Sequence, residues 1–243
     1  MSRHQQGIGL PEILISLLLS SLIMTAVVKH YLGARQQYQS ARTMLESALD
    51  VQSVTDLIRD SSRRAGFTPC LNIDYLISVD KRQGTLRAID MRSAGTPVLR
   101  ISRMSEYYES VFAINSPTEL LSSYTQPLNP DYPLLIADCY HAEVQHIKSL
   151  RRTEAGQVIT LAGPLSFTYQ PPVYLGEWLQ EAFFMRANSP GLLYRLHHTD
   201  ELSAEVNAFA VQILKNQTGI VLQVTIGLIN GQTVQVETKV RAL

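Results

Sequence analysis

Residues Ile8 to Val28 form an apolar run whose only ionisable side chain is Glu12. At the rise of an α-helix these ~21 residues make roughly 30 Å, the thickness of a bilayer core. A segment of this length and composition is long enough to span a membrane, and everything after it reads as a payload on one long helix. Glu12 is the exception. A charge deep in lipid costs on the order of 2.5–3.5 kcal/mol on insertion scales, so a carboxylate there is expected to have a partner or a function.

Pro11 suits a first helical turn, and no further proline occurs until Pro69. After Pro11, Gly33 is the only glycine before Gly66, so a helix of roughly 55 residues is expected. From Tyr38 its apolar positions become a stripe, with Ala41, Met44, Leu45, Ala48, Val51, Val54 and Ile58 three, four or seven apart. The stripe predicts docking on the chain's own sheet, since it lasts too few heptads for a coiled coil. Gly66, following Arg63 and Arg64, supplies the expected C-terminal cap.

The polar leader ending in Gly7, the apolar Ile8 after it and Glu12 four positions on, ahead of a spanning helix, resemble a type IV prepilin signal. That resemblance implies cleavage between Gly7 and Ile8 by a prepilin peptidase, methylation of the new amine of Ile8, and retention of the helix on the mature chain. It departs from a secretory signal peptide, because no small-residue cleavage site follows Val28. Ile8 stands where phenylalanine or methionine is more usual. The resemblance makes Glu12 an assembly residue, pairing with the Ile8 amine of a neighbouring subunit in a low-dielectric setting where opposite charges attract strongly. A second stretch, Ile58 to Phe67 with Cys70 just beyond, is similar to the stalk-helix ending of the PilW family of minor pilins. The two stretches cover about the first 70 residues.

Lys plus Arg equals Asp plus Glu, 21 of each, so there is no global basic field and nucleic acid is not indicated as a partner. Arg3 is opposed by Lys29, Arg35 and Arg42, so leader charge does not settle orientation. The two cysteines, Cys70 and Cys139, are expected to form a disulfide if the domain lies in an oxidising compartment; two buried free thiols are the alternative. His141 and the pair His197-His198 show no recognised metal-ligand spacing, and neither metal nor cofactor is expected. No phosphate-binding glycine loop or glycine-flanked serine occurs, and Asp138 with His141 is too loose an association to define a catalytic triad.

Past Cys70 short β-like runs take over: Ile73 to Val79, Thr85 to Met91, Val98 to Ile101, Leu134 to Ala137 and Gln157 to Leu161. Ser102 to Pro133 has no period and reads as an extended loop. Ala182 to Arg186 and Leu192 to His197 read as an antiparallel pair across Asn188 to Gly191, and Glu201 to Leu214 is either helix or strand. Asn216-Gln217-Thr218 is a glycosylation sequon by pattern only. At the C-terminus, Ile220 to Ile229 and Gln232 to Ala242 alternate around Asn230-Gly231, which predicts a hairpin. A three-residue loop Asn230-Gly231-Gln232 gives one apolar face, with Ile226 opposite Val236, Leu222 opposite Val240 and Thr238 the exception opposite Val224; that face is expected to pack on the Ala41 to Ile58 stripe.

The expected fold is therefore α+β: a leader at residues 1–7, a helix over 8–66 that spans the membrane at 8–28, and an antiparallel β-rich, type IV pilin-like head over 67–243. The resemblance implies a structural subunit and not an enzyme, held in the inner membrane with its head in the periplasm and then placed in a pilus fibre. Its implied partners are other minor pilins, the major pilin, the pilus assembly platform and the prepilin peptidase. A type II secretion pseudopilin of the J type, or a bitopic envelope protein with an uncleaved anchor, would share the same N-terminal helix. A DNA-binding or host-surface adhesin role at the tip would need an exposed basic or aromatic patch.

Overall fold

The computed structural model describes residues 9–92, 97–125, 127–187, 189–216 and 219–240. Gly7 and Ile8 lie outside these residues, as do Asn188 and the second and third sequon positions. The chain divides into two compact units, one running to Asp50 and the other starting at Val51. One helix, α1 (Leu10–Arg63, 54 residues), supplies all the regular structure of the first unit and the opening turns of the second. In the first unit it carries the apolar run, and it is the one helix among the described residues long and apolar enough to cross a membrane.

The second unit is α+β and mostly antiparallel. Among the described residues, fifteen strands follow α1: β1 (Ile77–Asp80), β2 (Ile89–Arg92), β3 (Val98–Met104), β4 (Glu109–Ser116), β5 (Glu119–Ser122), β6 (Leu134–Ala137), β7 (His141–Gln145), β8 (Ile147–Thr153), β9 (Gly156–Leu161), β10 (Val173–Met185), β11 (Leu192–Arg195), β12 (Thr199–Ser203), β13 (Val206–Asn216), β14 (Gly219–Leu228) and β15 (Thr233–Lys239). The larger sheet runs β1-β7-β6-β10-β4-β5-β9-β8, with β1 and β7 parallel. β10 changes partners midway. Val173 to Leu175 pair with β4 and Tyr174 to Glu177 with β6, and from Trp178 the strand pairs with β3, then with β11 from Ala182. β13, β14 and β15 make a separate three-stranded sheet.

Two apolar clusters result. One gathers Val54 and Ile58 of α1 with Leu99 and Ile101 of β3, Phe183 of β10 and the buried face of the three-stranded sheet. The other joins Leu120, Leu134, Ile136, Ile159, Leu161 and Leu175. The predicted stripe on α1 is thus buried only in part. Val54 and Ile58 are interior, whereas Met44 (71% exposed) and Leu45 (59%) are open, and Ala41 and Ala48 are exposed as well. The docked face is seen on the turns from Val51 onward, where Val54 and Ile58 enter the second unit's core and Val51 packs against it.

Several expected strands hold, with β6 spanning Leu134–Ala137 and β9 reaching Leu161. Glu201 to Leu214 resolves into β12 and β13, and β10 and β11 pair across the predicted turn, whose Gly191 has φ +121°. Ile73–Tyr75 is a 3-10 turn and not a strand, because the Asn72 side chain accepts the Asp74 N–H and caps it. Thr85 to Ala88 stays outside the ladder, with the Ala88 N–H donated to Asp74 Oδ1. The loop expected over Ser102 to Pro133 is wrong, since it holds the end of β3 and all of β4 and β5. Register shifts at Val111/Ala113 and Ile114/Ser116 break the period-two pattern, which is why these strands are hidden in the sequence.

The C-terminal hairpin has the predicted three-residue loop, but the loop is Ile229-Asn230-Gly231, with a positive φ at Gly231 (+83°). Leu228 N–H donates to Gln232 O, and Gly231 N–H to Leu228 O. Ile226 pairs with Val234 and Val224 with Val236, two residues from the expected register. A type I turn needs its left-handed residue third in such a loop; the expected register would have put Gln232 there instead of glycine. Both registers keep the same face inward, so Val236 is buried and Thr238 remains the polar exception, now opposite Leu222. Thr238 Oγ1 is buried with no hydrogen-bond partner among the described residues. An unpaired buried hydroxyl is costly, so Thr238→Val should stabilise the full chain by about 1 kcal/mol, read as a higher denaturant midpoint in detergent. A lower midpoint would show that the hydroxyl is satisfied in solution.

Candidate functional site

At the N-terminus, Glu12 lies in the first turn of α1 and its Oε2 accepts the N–H of Gly9 at 3.0 Å. Gly9 O accepts the Glu12 N–H in return, so the pair forms half of a capping box. Along the apolar run the hydroxyls of Ser16, Ser20, Ser21 and Thr25 donate to carbonyls three or four residues back. No hydroxyl there has to seek a partner outside the helix, which suits a non-aqueous surround. Leu14, Leu17, Leu18, Leu22 and Ile23 are all exposed on this segment.

Where α1 ends, the second unit builds a polar clamp. Gly66 takes φ +71°, and a Cβ there would meet Asn72 Oδ1 at 2.2 Å, so the helix stop accepts only glycine. Asn72 Nδ2 caps the Ala65 carbonyl at 3.1 Å. The Gly66 N–H donates to Ser102 O, and the Met104 N–H to Phe67 O, stitching the chain onto β3. Beneath these bonds Arg103 of β3 donates from Nη2 and Nε to Glu181 Oε1 of β10, at 2.8 and 3.1 Å. Ser61, fully buried on α1, donates to the other oxygen of Glu181. Arg103 Nη1 also donates to Glu106 (2.8 Å), which accepts Arg64 in turn. Burial, then the Glu181 charge, push the Tyr194 hydroxyl up to about 12, so it stays protonated beside this carboxylate.

Just past the clamp, Cys70 and Cys139 form a disulfide with their Cα atoms 5.2 Å apart. Across a separation of 69 residues such a bond stabilises by about 4 kcal/mol in the chain-entropy model. It ties the segment after the helix to the β6–β7 turn. Asp138 organises that turn, accepting the N–H groups of Tyr140 (2.7 Å), His141 (2.5 Å) and Gln170 (2.8 Å). Burial alone would raise its pKa, but the backbone donors of Gln170, Tyr140 and His141 outweigh it and hold the carboxyl below its usual range. His141 Nδ1 is 3.4 Å from Asp138, and its ring stacks on Phe167. This is the geometry of a braced turn, and no hydroxyl is hydrogen-bonded to His141 among the described residues.

Of the residues singled out from sequence, the structure brings Cys70 and Cys139 together and leaves Glu12 near the other end of α1. Arg103 and Glu181 are not among those residues. Glu181 carried only a partial signal: it is a carboxylate in a largely apolar stretch, Val173–Met185, but Glu177 and Gln180 share that stretch, so it does not stand alone as Glu12 does. Compared with known proteins, the chain matches no family model, and neither a curated protein nor a solved structure is found to match it.

Removing one partner from the buried pair leaves an uncompensated charge. Glu181→Ala should therefore cost about 3–5 kcal/mol in denaturant unfolding, while Arg103→Met with Glu181→Leu should cost much less. Equal losses in both variants would mean that packing, not charge pairing, decides the junction.

Proposed function

We propose that this chain is a minor type IV pilin of the PilW type, a structural subunit that resides in the inner membrane and then primes or caps a pilus fibre. The observation that carries the reading is the placement of Glu12: a lone carboxylate in the first turn of an apolar helix, four residues after Ile8. A helix that only anchors has no need of this charge. One that must fix its axial position against a neighbour does, because a carboxylate can neutralise a freshly cleaved amine only at one stagger. Glu12 Oε2 is engaged by Gly9, and Oε1 has no partner among the described residues, which leaves an acceptor for such an amine.

The other end of α1 supports the same reading. A subunit that transmits position from helix to head needs the two joined rigidly, and the Ser61–Glu181–Arg103 clamp with the Cys70–Cys139 bond provides a joint of that kind within the second unit. The activity is binding and assembly, with other minor pilins, the major pilin, the assembly platform and the prepilin peptidase as partners.

Glu12→Val should leave cleavage and membrane insertion intact and exclude the protein from sheared fibres. Glu12→Gln keeps the bond to Gly9 but loses the charge, so it should be excluded as well. Fractionation of cells and fibres decides: either variant abundant in the fibre fraction would refute the amine pairing, and rescue by Gln alone would reduce Glu12 to a helix cap.

A further inference from the structure

Three guanidinium groups from two parts of the second unit converge on one recess of about 310 Å³. Arg82 and Arg87 come from the β1–β2 connection and Arg100 from β3, with Gln180 of β10 alongside. Arg82 is held by Asp80 in a two-point pair, Nε to Oδ1 at 2.9 Å and Nη2 to Oδ2 at 2.8 Å, and Asp80 also accepts the Arg82 backbone N–H. Gln180 Oε1 takes a further bond from Arg82 Nη2 at 3.3 Å. The second carboxylate on the rim, Asp90, stands across the β2–β3 ladder from Arg100. Three guanidiniums against two carboxylates leave the recess net positive.

Arg87 and Arg100 make no hydrogen bond or ion pair among the described residues. In the same unit Arg59, Arg64, Arg103 and Arg186 each meet a carboxylate. Arg100 is moreover half-buried, where a guanidinium that makes no direct ion pair is costly. An arginine fork is suited to two parallel bonds to a carboxylate or a phosphate. We propose that this recess is an oxyanion site in which Arg87 and Arg100 hold the carboxylate or phosphate group of a small ligand, with Arg82 fixed in place by Asp80. The recess is a concavity of small-molecule size and not an extended cationic stripe, so it favours a compact anion over a nucleic-acid backbone. The site is independent of the reading of the chain as a fibre subunit.

The test is titration of inorganic phosphate and of citrate into the full chain in non-ionic detergent, at constant ionic strength, by calorimetry. At least one anion should bind saturably, and R87A/R100A should weaken it tenfold or more, while R151A/R152A on β8 leaves it within twofold. Citrate alone binding identifies a carboxylate ligand, and phosphate alone a phosphate ligand. If the double variant does not fold, Arg87→Ala, at an exposed position, should weaken binding at least threefold. No saturable binding of either anion, an equal loss in the β8 variant, or unchanged binding in folded R87A/R100A would overturn the site. Tight binding of a single-stranded oligonucleotide that neither anion displaces would overturn the small-anion assignment.

Discussion

Arg103 and Glu181 lie in the interior with 2.8 Å between their charged ends, and Ser61 of the helix reaches the same carboxylate. Taking either charge out of water is expensive, and the cost is offset only when both are present and their remaining bonds are made. The pair therefore fixes three elements relative to one another: the helix end, β3 and β10. A simple apolar contact would tolerate slippage of the helix along the sheet, whereas a buried ion pair with a third hydrogen-bonded partner has one satisfactory arrangement. β10 extends this consequence, because the strand that carries Glu181 also pairs with β6 and β4 and so joins the second apolar cluster to the first.

The disulfide and the glycine stop act on the same joint from the next few residues. Gly66 turns the chain off the helix, Asn72 closes the exposed carbonyl of Ala65, and Cys70 fastens the following segment to the turn held by Asp138. Each lies within about ten residues of the end of α1, so rigidity is concentrated where helix meets sheet. The exposed hydrophobic residues of α1 lie before Val51. Their exposure is what a helix destined for lipid and for other helices would show, and the first unit is the part of the chain proposed to meet both.

The helix was legible because a long stretch without proline, an apolar span and a glycine stop all act locally. The terminal hairpin's inward face was legible for the same reason, since side-chain parity survives a two-residue change of register; the loop placement follows from glycine's place in the turn, which overrides the best cross-strand pairing. β4 and β5 were not legible, as bulges break their alternation. The stripe over Ala41 to Leu49 shows the opposite error: its periodicity is present, yet its apolar residues are exposed. At the junction, Cys70 and Cys139 could be paired from their count given an oxidising compartment, whereas Arg103 and Glu181 sit in different stretches and only the β3–β10 register brings them together.

As a minor pilin, the chain is proposed to enter the membrane as a precursor and to be cut before Ile8, freeing the amine that Glu12 serves. Intact-mass measurement of the protein extracted from the membranes of its native host tests this most directly. The account predicts a mature species lacking residues 1–7 and carrying one methyl group on Ile8. A single species retaining Met1 to Gly7 would contradict it and leave a bitopic protein with an uncleaved anchor.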